Sequence, residues 1–435
     1  MNNFHAFLEE TGDFFRRGGR LPVSLRRAGL RHLAETLERE QDRIVQTIAA
    51  DIGKYRADIL ADELLPLRSN IRELIHCLPR LARPRRRGGF LGGERLIPEP
   101  LGLVLIRGCW SDPVRSVLEP LAAALAAGNR AVLRPAPKAP ASAQLLAELL
   151  DPLFPDGEVV TAGREIADEE LEAEHFDLIV DPEATGNGNA TPVISTPVGK
   201  NPVIVDASAC IRRAAKCIVR AKFRNAGQSP DSPDYVLAHA RIRASLLYEM
   251  SLEIRKRFTG DPELAEEPFR VLNGERFDAL RKLLDRGRLA AGGEFNRARL
   301  YIAPTVLDGI TPDDPIMREV IAGPLLPVLE FRTPDEAAAI VNEFDAPPAL
   351  CCFAGRRAAR ALLSGIRAGS AVVNSCASRA RYRWCGSGAG GRLVYTSRDA
   401  FNVFSRQKPV SLHSRLLPEE DLGAWSRKLF GKYFR

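Results

Sequence analysis

Residues 103–135 read LVLIRGCWSDPVRSVLEPLAAALAAGNRAVLRP, and this stretch decides the fold. Residues 103–106 form an unbroken apolar run, the signature of a strand buried on both faces. Residues 113–127 are rich in Leu and Ala and predict a helix. It ends at Gly128, a residue that readily takes the left-handed conformation closing a helix. Residues 130–133 are again short and apolar. Strand, helix and strand in this order imply parallel pairing with a helical crossover.

The same alternation continues outward. Residues 141–150 read as a helix, and 159–160 and 178–180 as short strands. A second α/β unit follows, with strands at 202–205, 235–237, 326–331, 350–353 and 371–374. Helices at 210–223, 242–258, 334–344 and 356–366 lie between them. Upstream, Leu30, Leu33, Leu37, Ile44 and Ile48 recur at helical spacing, and the pattern continues from Glu63 to Leu81. Pro79, Pro84 and the Gly88-Gly89 pair then break it. The expected fold class is α/β, with two doubly wound units. There is no internal repeat and no low-complexity segment.

Composition narrows the function classes. At 435 residues, with 45% hydrophobic and 27% charged side chains, the chain reads as a soluble protein of two or three domains. It contains no apolar run of membrane-span length and no secretory leader pattern, so a cytoplasmic location is expected. The net charge of +7 comes from 52 Arg and 10 Lys spread along the chain. The one dense run, Arg83, Arg85, Arg86 and Arg87, accompanies no nucleic-acid motif and reads as a solvated loop. Eight cysteines occur without a Cys-x-x-Cys pair, so no metal site is expected. In the tail, Leu422, Trp425, Leu429 and Tyr433 share one helical face, with Arg427, Lys428 and Lys432 elsewhere; this reads as packing on the body or on a dimer mate, and alternatively as a basic amphipathic helix for a partner or a membrane surface.

Several motifs, taken in order, resemble the aldehyde dehydrogenase superfamily, and most closely its class 3 branch, from about residue 21 to 409. They are Ala49-Ala50-Asp51-Ile52-Gly53-Lys54, Glu99-Pro100-Leu101-Gly102 and Gly108-Cys109-Trp110-Ser111-Asp112-Pro113. Ala126-Ala127-Gly128-Asn129, Asn225-Ala226-Gly227-Gln228 and Pro233-Asp234-Tyr235 follow. Tyr301-Ile302-Ala303-Pro304-Thr305 and Gly323-Pro324-Leu325-Leu326-Pro327 complete the set. The resemblance implies that family's fold, with a small oligomerisation arm and a homodimer. It places a degenerate NAD-binding-type domain at 1–81 and 99–196 and a catalytic-type domain at 197–400. The arm would lie at 82–98 and 401–412, and an amphipathic tail at 413–435.

The family's chemistry needs a cysteine thiolate, an oxyanion-holding asparagine, NAD and a glutamate base. By resemblance these side-chain positions carry Pro230 for the nucleophile, Ser111 for the asparagine and Thr196 for the glutamate. The adenosine-ribose lysine and glutamate correspond to Arg134 and Pro137. The nicotinamide-ribose glutamate and its aromatic neighbour correspond to Val320 and Ala322. A Gly-x-Gly survives as Gly186 and Gly188, but Asp181 and Glu183 would repel a diphosphate. Arg134, Gly186 and Gly188 are thus the residues of a degenerate cofactor site, and no cofactor is expected.

The pocket implied by the resemblance still carries reactive groups. Cys109 stands beside the oxyanion position, and Arg107 could favour its thiolate. Cys376 and Cys385 fall in funnel-like loops. Ser111, Asp112, Asp231 and the arginines Arg379 and Arg381 would surround the mouth, where paired carboxylates can move protons. Ser229 and Ser232 have no histidine base, so a serine nucleophile is not supported. Each of these also reads as an inert thiol or a solvated charge. Three functions follow. The replacements favour a non-catalytic protein, a pseudoenzyme binding a small molecule or a protein partner. The alternatives are a repurposed non-redox enzyme acting on a carbonyl compound and an atypical NAD(P)-dependent aldehyde dehydrogenase.

Overall fold

The computed structural model describes residues 3–87, 92–155, 157–182, 191–195, 199–258, 269–376 and 397–413. Two parallel-based sheets organise the chain. The first has five strands, in the order Val159–Thr161, Arg130–Arg134, Leu103–Arg107, Leu178–Val180 and Val193–Ile194. All its pairings are parallel, and Val104 lies between Ala131 and Leu178. The second has seven strands and runs Arg288–Ala291, Thr305–Asp308, Leu325–Phe331, Tyr235–His239, Pro202–Val205, Leu350–Phe353 and Ala371–Val373. Its pairings are parallel except at the first edge, where Arg288–Ala291 runs antiparallel to Thr305–Asp308.

The opening stretch folds as its pattern requires. The strand Leu103–Arg107 has a buried interior, and the helix Arg115–Ala127 buries nearly every residue after its first turn. It lies against the helices Val23–Arg39 and Leu65–Leu81 in one core. Gly128 closes it at φ 96°. The helix Asn3–Arg16 was not foreseen; it brings Phe4 and Phe7 against Leu105 and Val132 on the sheet.

A separate three-stranded antiparallel sheet joins Arg85–Arg87, Gly92–Pro100 and Ser405–His413. Glu99 anchors it, since its buried carboxylate accepts hydrogen bonds from Arg20 and Arg406 and pairs with Lys408 at 2.5 Å. The tail residues Leu422, Trp425, Leu429 and Tyr433 lie outside the described residues. Among the described residues no helix is long and apolar enough to cross a membrane.

Candidate functional site

The site begins where the strand Leu103–Arg107 runs into the helix Arg115–Ala127. Gly108 N–H donates to the Arg134 carbonyl at 2.8 Å, holding two strand ends together. The chain then turns through Cys109, Ser111 and Asp112. Cys109 N–H donates to Ser116 Oγ at 2.8 Å, and Cys109 Sγ lies 3.2 Å from Ser111 Oγ. Ser111 Oγ donates to Asp112 Oδ2 at 3.4 Å. Three of the sequence-predicted site residues therefore form one contiguous polar strip.

Beneath this strip lies an ion-pair network that sequence reasoning missed. Lys54 Nζ donates to Asp112 Oδ1 at 2.8 Å, Glu63 Oε1 at 3.0 Å and the Ser111 carbonyl at 3.4 Å. The side chains of Lys54 and Glu63 are fully buried, whereas Asp112 is 20% exposed. Glu63 sits on a π-helical turn, Leu60–Leu64. Its other oxygen accepts the backbone N–H groups of Val114 and Arg115 at 3.2 and 3.3 Å. These N–H groups open a helix and have no partner within it, so a buried carboxylate caps them. Burial opposes the charge on Lys54, but Asp112 and Glu63 outweigh it and hold the ammonium above its usual range. Burial raises the Glu63 carboxyl, with Asp112 adding to the rise and Lys54 opposing it. Lys54 lay within a quoted motif without a role, and only its contacts reveal one.

Arg115 links this strip to the second unit. It pairs with Glu119 at 2.8 Å and donates to the Asp62 carbonyl. Burial opposes its charge, while Glu119, Asp112 and Asp231 outweigh that and raise it. Asp112 and Asp231 thus act on the same guanidinium from the two units. Asp231 is exposed on the loop after the helix Ile211–Lys222. Arg224, at the start of that loop, pairs with Asp58 at 3.3 Å and with Asp62.

The loop itself is strained. Asn225, Ala226 and Gly227 all have positive φ, at 47°, 49° and 72°. Left-handed backbone is costly for residues other than Gly and collects at functional sites. A Cβ on Gly227 would lie 2.3 Å from the Gly323 carbonyl oxygen, so only Gly allows the loop to close there. Gln228 fastens the next turn, donating to the carbonyls of Asn225 and Arg270 and accepting from Leu272 N–H at 2.8 Å. Pro230 is exposed, and its carbonyl accepts from Asn201 Nδ2 at 2.9 Å. Ser232 Oγ donates to the Lys222 carbonyl at 3.2 Å.

The other expected residues lie apart from this strip. Arg134 donates to the carbonyls of Gly163 and Ala162 and stands 3.2 Å from Asp168. Arg107 turns toward Glu172 at 3.3 Å and Asp181 at 3.7 Å, so two carboxylates offset the charge expected to favour a Cys109 thiolate. The same pairing tempers the repulsion expected of Asp181. Cys376 packs in the core of the second unit beside Cys351 and Cys217. Contact with the Cys351 sulfur and burial push its thiol well above the usual range. Glu183, Gly186, Gly188, Thr196, Arg379, Arg381 and Cys385 lie outside the described residues. Among the described residues no cluster of three or more His, Cys, Asp or Glu could hold a metal.

The aldehyde dehydrogenase family profile matches residues 2–410. The chain belongs to the aldehyde dehydrogenase family. Its class 3 homologues include aldehyde dehydrogenase family 3 member A2 of Mus musculus, 30% identical over 92% of this chain and 86% of that one. The 4,4'-diapolycopene-4,4'-dial dehydrogenase of Cytobacillus firmus is 31% identical over 71% of each chain. Among solved structures, a substrate-bound state of Staphylococcus aureus AldH superposes with TM-score 0.88 at 26% identity, over 99% of this chain and 100% of that one. The aldehyde dehydrogenase KauB of Pseudomonas aeruginosa shares the fold at TM-score 0.81, over 94% of this chain and 87% of that one.

Proposed function

We propose that this aldehyde dehydrogenase family member binds a ligand through the inherited site and does not oxidise aldehydes with NAD. The observation that carries the reading is Pro230. The loop from Asn225 to Gln228 keeps a strained, tightly fastened path, yet the position two residues after Gln228 carries a proline. A pyrrolidine ring has no nucleophile. Loss of a triad nucleophile elsewhere costs about a million-fold in turnover, and loss of one oxyanion donor about 100- to 1,000-fold. Ser111 at the oxyanion position and Thr196 at the base position add to that deficit.

The residues at the cofactor position also fit NAD poorly. Arg134 spends its guanidinium on Gly163, Ala162 and Asp168, and Arg164 closes on the Pro137 carbonyl at 3.0 Å. A ribose would have to displace these contacts. No step of the proposed function therefore runs through a nicotinamide. A second reading, a non-redox step on a carbonyl compound, is favoured by the Lys54–Asp112–Ser111–Cys109 chain. It joins a buried ammonium to a partly exposed carboxylate, a hydroxyl and a thiol. In either reading the chain acts as a cytoplasmic homodimer whose arm is the sheet of Gly92–Pro100 and Ser405–His413. Residues 1–81 with 99–196, and 197–400, form its two domains.

Steady-state assay with a panel of aliphatic and aromatic aldehydes, following NADH absorbance, tests the main reading. No turnover above the buffer rate is expected. NADH formation at an ordinary dehydrogenase rate of about 1 per second or more would overturn it.

A further inference from the structure

The five-stranded sheet reverses its strand order between Leu103–Arg107 and Leu178–Val180. From Leu103–Arg107 the chain builds outward through Arg130–Arg134 to Val159–Thr161, then returns to add Leu178–Val180 and Val193–Ile194 on the other side. Open α/β sheets take ligands outside the carboxyl ends of their strands at such a reversal. Two arginines stand at those ends. Arg107 and Arg134 close neighbouring parallel strands and are partners in register, so their backbones lie about 5 Å apart. Two guanidiniums side by side suit a phosphate-bearing ligand.

Both arginines are covered from within the chain. The helix Asp168–Ala173 carries Asp168 and Glu172 one turn apart on one face. Asp168 stands 3.2 Å from Arg134 Nε, and Glu172 stands 3.3 Å from Arg107 Nη2. One helix face thus spans two strand ends and gives each arginine a carboxylate. Asp181 follows the strand on the far side of the reversal and meets Arg107 at 3.7 Å, bridging the two sides. Three carboxylates face two guanidiniums, so this end of the sheet repels an anion.

The cover is loosely held. Asp168 and Glu172 are 49% and 65% exposed, and exposed ion pairs contribute little. Arg134 Nε is buried and makes no hydrogen bond among the described residues; Asp168 meets it at ion-pair distance without the alignment a hydrogen bond needs. The helix itself is fixed from its other side. Its buried Leu171 packs with Phe4 and Phe7, and Glu170 pairs with His5 at 3.1 Å. The two carboxylate side chains are therefore free to swing out while the helix stays.

We propose that the helix Asp168–Ala173 is an acidic latch, whose Asp168 and Glu172 occupy the arginines of an anion site and hold it shut against phosphate-bearing ligands. This deepens the reading in which the chain does not use NAD, and rests on it. A crevice that had merely decayed would lose its cations; this one keeps two and cancels them.

The test titrates the full chain with inorganic pyrophosphate by calorimetry at low ionic strength. The wild type should bind no tighter than millimolar. Asp168→Asn with Glu172→Gln turns one excess negative charge at the site into one excess positive charge, and should tighten binding by about tenfold or more. Adding Arg107→Gln should abolish that gain. Asp335→Asn with Glu343→Gln, at exposed positions on the helix Pro334–Glu343, removes the same net charge elsewhere and should leave the wild-type affinity unchanged. Circular dichroism checks each variant, and the latch substitutions are isosteric and exposed. Three results would each overturn the latch: micromolar binding by the wild type, no gain in Asp168→Asn with Glu172→Gln, or an equal gain in the control variant. Failure of the latch leaves the proposed function standing, whereas NADH turnover would sink that function whatever pyrophosphate does.

Discussion

Replacing Lys54 by Met removes the only cation that meets both Glu63 and Asp112 among the contacts described above. Asp112 is partly exposed and can be solvated, but Glu63 is fully buried and cannot. Breaking a buried ion pair by deleting one partner costs about 3–5 kcal/mol, because the other charge is stranded. Here the stranded group has an escape, since it can take up a proton. In the variant, burial and Asp112 still raise the Glu63 carboxyl, and the opposing influence of Lys54 is gone. The folded state then holds a proton that the unfolded state releases above pH ~4.3. The unfolded state binds fewer protons, so stability falls as pH rises through that range. The expected destabilisation is small at pH 5 and grows toward the full ~3–5 kcal/mol at pH 8. Lys54 itself adds no decline in this range, because its raised pKa contributes stability that is complete below pH ~10.4 and is lost only above it. Glu63 is raised in the parent too, but Lys54 opposes the rise, so the parent should show a smaller decline of the same sign. Urea unfolding of both proteins at the two pH values reads the difference. Lys54→Met with Glu63→Gln should recover about half or more of the loss, because the amide oxygen can still accept from Val114 and Arg115. A loss below ~1 kcal/mol that is equal at both pH values would refute the reasoning.

Other outcomes follow from single contacts. Gly227→Ala combines left-handed strain with a Cβ driven 2.3 Å from the Gly323 carbonyl and should cost about 1–3 kcal/mol or more. Gly309→Ala, at φ 73° in open space, should cost less, so thermal melts of the two separate collision from strain. Iodoacetamide mapping at pH 8 should find the exposed Cys210 alkylated first among the cysteines of the described residues. Cys352, pushed up to about 12 by burial, should react last, together with Cys376; fast labelling of either would contradict their packing. Pro230→Cys should yield a thiol that takes up iodoacetamide but no NADH production with aldehydes, because Ser111, Thr196 and the closed Arg134 remain.

The fold was legible because its signal is local and periodic. The strands Leu178–Val180, Pro202–Val205 and Leu350–Phe353 coincide with their apolar runs, since strands buried in parallel sheets must be apolar throughout. Helix ends shifted by a residue or two, as at Arg115 rather than Pro113, where the first turn is shaped by the Glu63 cap. The helix Asn3–Arg16 does carry a stripe at helical spacing, Phe4, Phe7, Leu8 and Thr11, which sequence reasoning missed although it is legible; it covers the sheet through Phe4 and Phe7. Cys109, Ser111 and Asp112 are neighbours in sequence, so their proximity could be read directly. The Lys54–Glu63–Asp112 network could not. It joins a residue between two helices, one on a π-helical turn and one in a turn far along the chain, and only the packed chain brings them to 2.8 and 3.0 Å. Arg134 and Arg107 likewise find carbonyl and carboxylate partners that no local pattern announces.

Calorimetric titration of NAD and of NADP, each carried well into the millimolar range, tests the central claim most directly. The account predicts no heat of binding for either, because Arg134 is closed on Gly163 and Asp168 and the nicotinamide-ribose position carries Val320. A saturating isotherm with micromolar affinity would contradict it and make this chain a working dehydrogenase with an altered site.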